Sequence, residues 1–159
     1  MYIPKLMSMF TLFVALCLTA CFGNSNNNSQ DATATTAVDR VTTISEAEFK
    51  RLVMDFEANP EEWKYKGKLP SIISFTADWC GPCRRMAPTF DELAREYAGK
   101  INIYKVDVDR SRAVANYFGV SGIPLMLFAR MNGLPAVQQG MMSKDQLVHA
   151  IENFLLKEE

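Results

Sequence analysis

Hydrophobic and polar positions divide the chain into three stretches. An almost continuous apolar run, Leu6 to Leu18, follows the cation Lys5. Phe22 to Asp39 is mostly Asn, Ser, Thr and Ala. From Val41 onward apolar residues recur at helical or strand spacing. The first run has the positive start and apolar centre of an export signal. It is too short to span a bilayer comfortably, because a spanning helix needs about 20 apolar residues. The second stretch cannot bury enough apolar surface to offset its ordering entropy. It is expected to be a disordered tether reaching roughly 25 Å in root-mean-square terms.

Within the third stretch, Ser45-Glu46-Ala47-Glu48 has the form of a capping box, in which hydroxyl and carboxylate satisfy the first free amides of a helix. Phe49, Leu52, Val53 and Phe56 follow as one apolar stripe, and Asn59-Pro60 should end that helix. Glu61 to Pro70 reads as a polar connector whose Trp63 either packs on the domain or serves as a docking point. Ser71 to Thr76 (SIISFT) and Ile101 to Val108 (INIYKVDV) have the β-branched and aromatic content of buried strands. Between them a helix is predicted from Cys80 to Ala98, closed by Gly99 and kinked at Pro88. A shorter helix runs from Arg110 to Phe118 and ends at Gly119. Pro124 opens the strand PLMLFAR, Asn132-Gly133 marks a tight turn, and Pro135 to Gly140 pairs back as a hairpin. Ser143 starts the last helix, with Leu147, Ala150, Ile151 and Phe154 facing inward. The order is α-β-α-β-α-β-β-α. Strand, helix, strand implies a parallel right-handed crossover, and the hairpin adds antiparallel strands. The expectation is one α/β domain, Val41 to Glu159, with a mixed central sheet flanked by helices on both faces.

Composition changes this picture only by exclusion. The net charge of −1 shows no basic excess, which sets nucleic acid aside as a partner. Of the four cysteines, Cys17 lies in the apolar run and Cys21 just after it, leaving Cys80 and Cys83 for the domain. A small exported fold stapled by disulfides would need more pairs than that. The ending Leu18-Thr19-Ala20-Cys21 resembles the lipobox of bacterial lipoproteins. That resemblance implies a signal peptide over residues 1–20, acylation of Cys21 and a tether over residues 21–40. An uncleaved single-span anchor is the alternative.

The chemistry concentrates in Ala77 to Arg85, ADWCGPCRR. Cys80 falls where a strand gives way to the first turn of a helix. Free amides and the partial positive charge there favour a thiolate over a thiol. Cys83 is one turn on, close enough to attack a mixed disulfide formed at Cys80, and Pro82 limits the conformations between them. A zinc site would need two more ligands, and only His149 remains, alone on the last helix. Covalent haem would need a histidine where Arg84 stands. An inert staple would close too short a loop to constrain the unfolded chain much. The pair is therefore read as passing electrons, with no cofactor and no metal. Arg84 and Arg85 either support the thiolate or form a solvated helix face.

The segment from Val41 to Glu159 resembles a thioredoxin. WCGPC at Trp79 to Cys83 is the active-site sequence of that family, and the match continues through Pro88, Lys105, Gly122-Ile123-Pro124 and Gly140. The resemblance implies a thiol–disulfide oxidoreductase with Cys80 as attacking and Cys83 as resolving thiol. It further implies an apolar substrate groove lined by Trp79, Gly81, Pro82, Ile123, Pro124 and Gly140, with a cis Ile123–Pro124 bond. One departure is that Ser74 stands where the family carries a buried aspartate, which leaves Lys105 without its usual ionic neighbour. Together with the lipobox, the resemblance implies a monomeric protein-disulfide reductase, lipid-anchored in the cell envelope and facing the periplasm. It would act on disulfide-containing envelope proteins and be recharged by a transmembrane thiol reductase. A disulfide oxidase or isomerase, and a binding module regulated by the redox state of the pair, are the competing readings.

Overall fold

The computed structural model describes residues 39–157. The expectations about Lys5, the apolar run, Cys17, Cys21 and the tether up to residue 38 lie outside the described residues. The elements are β1 (Thr42–Thr43), α1 (Glu46–Leu52), β2 (Ser71–Thr76), α2 (Gly81–Glu96), β3 (Asn102–Asp107), α3 (Arg112–Tyr117), β4 (Leu125–Ala129), β5 (Ala136–Gln139) and α4 (Lys144–Ala150). Beyond α4 the chain continues as a π-helical turn, Ile151–Leu155. The sheet order is β1-β3-β2-β4-β5. β1 and β2 both run parallel to β3, whereas β4 is antiparallel to β2 and to β5. This is the mixed sheet anticipated above.

Strand side chains alternate between two cores, because successive residues point to opposite faces. Ile73, Phe75, Val106, Leu125 and Leu127 face α1 and α3, where they meet Phe49, Val53, Met54 and Val114. Ile72, Ile103, Met126 and Phe128 face α2 and α4, against Phe90, Leu93, Leu147 and Ile151. By the same alternation Ser74 and Lys105 share the α2 face.

Two expectations about the start of the domain are corrected. Among the described residues the first element is a strand and not a helix. β1 has only two residues, paired with Tyr104 and Lys105, and so short a strand leaves no periodic signal. The first helix also stops at Leu52, well before Asn59-Pro60. The Met54 amide donates to the Phe49 carbonyl at 3.1 Å and the Lys66 amide takes the Val53 carbonyl at 2.9 Å, which closes the helix. Asp55 then starts a separate turn by accepting the Ala58 amide at 3.2 Å on its side chain and the Asn59 amide at 3.0 Å on its carbonyl. Phe56 is still buried, delivered by that turn.

The capping box forms as read. The Ser45 amide donates to Glu48 Oε2 at 2.8 Å and the Glu48 amide donates to Ser45 Oγ at 3.3 Å. These hydrogen bonds hold the Glu48 carboxyl below its ordinary pKa. A second capping box, Ser143 with Gln146, starts α4. Trp63 proves to be packed: its ring stacks on Tyr65 with centroids 6.0 Å apart and meets the edge of Phe118.

Candidate active site

β2 carries the chain outward to Thr76, a short turn follows, and Cys80 becomes the N-cap of α2. The sulfur of Cys80 accepts the Cys83 amide at 3.2 Å, so one of the unsatisfied donors of the helix end is spent on that atom. No acidic residue occupies the first turn of α2, and nothing there cancels the positive end of the helix. Gly81 and Pro82 are the first helical residues, where a missing proline N–H costs no hydrogen bond. Cys80 and Cys83 are joined as a disulfide, Cα to Cα 5.3 Å, and both residues are almost covered. Pro88 sits inside the helix as expected.

The rim of this pair is assembled from separate parts of the chain. Trp79 is 67% exposed, and its Nε1 donates to Asp109 Oδ2 at 2.8 Å, which pins a large apolar ring in an open position. Arg84 Nη1 donates to the Asp78 carbonyl at 2.6 Å, and Arg85 reaches the Met141 sulfur at 3.4 Å. Both guanidinium groups are thus tied to the rim instead of extending freely into solvent. The Ile123–Pro124 peptide bond is cis. The Pro124 carbonyl accepts the Gly140 amide at 2.8 Å, linking two predicted groove residues directly. Gly140 has φ +92°, a backbone conformation that side chains with a Cβ rarely adopt.

Ser74 is buried on β2, with Lys105 on one side of it across the β2–β3 pairing and Met126 on the other across β2–β4. The neighbour of Lys105 is therefore a hydroxyl where the resemblance led one to look for a carboxylate. Lys105 is half-buried at the edge of a cleft of about 470 Å³ that Thr76, Ala77, Asp78 and Asp107 also line. His149 is exposed on α4.

Asp109 and Met141 went unnoticed in the sequence. Neither belongs to a spaced motif, and only the fold brings Asp109 to Trp79 across 30 positions and Met141 to Arg85 across 56.

Residues 40–153 match the family model described as Thioredoxin. The chain belongs to the thioredoxin family. It is 36% identical over 111 residues to a thioredoxin of Borreliella burgdorferi, an alignment covering 70% of this chain and 94% of that protein. A thioredoxin of Haemophilus influenzae is also 36% identical, over 112 residues, with the same coverage of 70% and 94%. A chloroplastic M-type thioredoxin of Spinacia oleracea is 33% identical over 122 residues, covering 77% of this chain and 61% of that one. With the Cys80–Cys83 pair in place at the head of α2, this thioredoxin-family domain is a thiol–disulfide oxidoreductase.

Proposed function

We propose that this domain reduces protein disulfides in a bacterial cell envelope, tethered to the membrane through lipid on Cys21. The observation that carries the reductase reading is the sulfur of Cys80 at the N-cap of α2, receiving the Cys83 amide, with Gly81-Pro82 as the intervening pair. In the reduced protein the Cys80 thiolate attacks one sulfur of a substrate disulfide. The substrate S–S bond breaks, one substrate thiolate leaves, and a mixed disulfide joins Cys80 to the other half. Cys83 loses its proton and attacks the Cys80 sulfur, which releases the second substrate thiolate and closes the Cys80–Cys83 disulfide. The substrate gains two electrons and two protons, and the domain is oxidised by the same amount. Trp79, Ile123, Pro124 and Gly140 present the surface on which the substrate chain rests. A transmembrane thiol carrier supplies the electrons that reopen Cys80–Cys83.

Export supports this need for a dedicated donor, since an oxidising compartment would otherwise hold the pair oxidised. In cells, alkylation trapping should find Cys80 and Cys83 mostly reduced, with the disulfide form accumulating when the donor is lost. A pair that stays oxidised in growing cells contradicts the reductase direction. The potential separates the same two cases, because thioredoxins lie near about −270 mV and exported oxidases of this fold near about −120 mV.

Ser74 bears on where in that range the couple falls. A carboxylate beneath the pair disfavours thiolates by like-charge repulsion, and a hydroxyl does not. Ser74→Asp should therefore raise the pKa of the Cys80 thiol in the reduced protein. It should make the couple more reducing. Thiolate ultraviolet absorbance followed against pH reads this directly, and an unchanged Cys80 pKa would sink the role given to Ser74.

A further inference from the structure

Two arginines beside the redox pair carry charge that the fold does not neutralise. A methyl group added to Gly81 would lie 3.7 Å from Arg85 Nη1 and 3.9 Å from Arg84 Nη2, so both guanidinium heads sit beside the residue that follows Cys80. Each is fixed by a neutral acceptor: Arg84 by the Asp78 carbonyl at 2.6 Å, and Arg85 by the Met141 sulfur at 3.4 Å. One N–H of five is spent in each case, and a carbonyl or a thioether cancels no charge. Among the described residues neither head has a carboxylate within ion-pair distance.

The acids of the surrounding segments are engaged elsewhere or stand apart. Asp107 takes Arg110 at 3.6 Å, and Asp109 takes the Trp79 indole at 2.8 Å. Glu92 and Glu96 both take Lys144, at 2.7 and 3.3 Å. Asp78 lines the cleft it shares with Lys105 and Arg110. Asp91 lies about 10 Å along α2 from Arg84, seven residues on. Asp145, in the first turn of α4, makes no ion pair with either arginine among the described residues.

The reaction itself says what comes to cover these heads. A substrate disulfide opened by Cys80 leaves its cysteine bonded to that sulfur. Substrate residues one or two positions away then lie about 4–7 Å along the chain, within the span of the two arginines. Trp79, next to Cys80, and Met141, against Arg85, are 67% and 53% exposed and offer apolar surface to the carbon of the same segment.

We propose that Arg84 and Arg85 select substrate disulfides whose reacting cysteine has acidic neighbours. Guanidinium groups take a carboxylate through paired N–H donors, and heads already held in place lose less freedom on making that contact. The proposal rests on the reductase reading of Cys80 and adds a substrate class to it. The two groups touch the substrate chain and not the reacting sulfurs, so they set preference among substrates.

Three peptide disulfides of one sequence test it, with Glu, Gln or Lys on both sides of the cysteine. Rates are taken relative to opening by dithiothreitol, which removes the peptides' own differences in reactivity. The reduced full chain should open the Glu peptide about tenfold faster than the Gln peptide at low salt, from two exposed charge contacts of a few-fold each. The Lys peptide should be slower still, and added salt should narrow the Glu-to-Gln ratio. Arg84→Gln combined with Arg85→Gln should bring that ratio to about one. Arg84→Lys with Arg85→Lys should keep part of it, because the charge stays while the forked geometry goes. A ratio near one in the unmodified chain, or a ratio that survives in the glutamine double variant, would overturn the proposal. So would a glutamine double variant that slows all three peptides by one factor while its Cys80 thiol pKa rises, which would assign the arginines to the thiolate. Failure of the reductase reading shows separately, as no opening of any of the three peptides by the unmodified chain.

Discussion

Cys80→Ser should bring insulin-disulfide turnover, with dithiothreitol as donor, down to the uncatalysed background, a loss on the order of a thousandfold or more. The serine hydroxyl retains the N-cap geometry and still accepts the Cys83 amide, so the fold is expected to survive. What disappears is the ionised sulfur. A hydroxyl at this position is not deprotonated by a helix end and does not exchange with disulfides. Cys83→Ser should lose multiple turnover as severely, by another route. The first attack still occurs, but the mixed disulfide has no internal thiol to resolve it. The two variants therefore differ in what accumulates, and residual turnover above a few per cent in either would contradict the assigned roles.

Phe49→Ala should cost about 3–5 kcal/mol of folding stability. Phe49 is fully buried, and its ring lies 6.3 Å from Phe56 and 5.6 Å from Phe118, centroid to centroid. It is the contact through which α1, the turn after it and the end of α3 close over β2. Deleting the ring removes its transfer free energy and leaves a cavity that three elements would have to shift to fill. Against a usual total of about 5–15 kcal/mol, the loss is a large fraction of stability. Denaturant titration should show a lower midpoint with an unchanged slope. A loss under about 1 kcal/mol would mean that the core on this face is not organised around Phe49.

Phe49 also shows how legibility in the sequence varies along one helix. Its burial was readable because Ser45 and Glu48 announce the helix start and the stripe follows in phase. The end of the same helix was not readable, because the Val53 carbonyl is taken by the Lys66 amide, a contact between separate segments that no periodicity records. Phe56 keeps the spacing of the stripe but reaches the core from a turn. β1 escaped notice for a related reason: Thr42 and Thr43 are strand only because Tyr104 and Lys105 lie alongside.

The active site was legible where chemistry is local in the chain. WCGPC is a local pattern for a thiol pair, whereas the Ile123–Pro124 step and Gly140 were legible as site residues only through the family resemblance. Asp109 and Met141 join the site only through long-range contacts, and their residue types are ordinary on a surface. Ser74 was visible as a departure from the family resemblance, while its neighbours Lys105 and Met126 required the sheet register. The turn at Asn132-Gly133 was read correctly as a turn. Its bare Leu134 and Met131 belong to the folded surface, which no spacing announces.

The most direct measurement is a trapping experiment. Reduced Cys83→Ser protein is mixed with insulin, quenched by alkylation and mapped by peptide mass. A substrate adduct linked through residue 80 should accumulate in Cys83→Ser protein and be absent from Cys80→Ser protein. An adduct formed equally well through Cys83 in the Cys80→Ser protein, or disulfide turnover persisting when both sulfurs are replaced, would contradict the account.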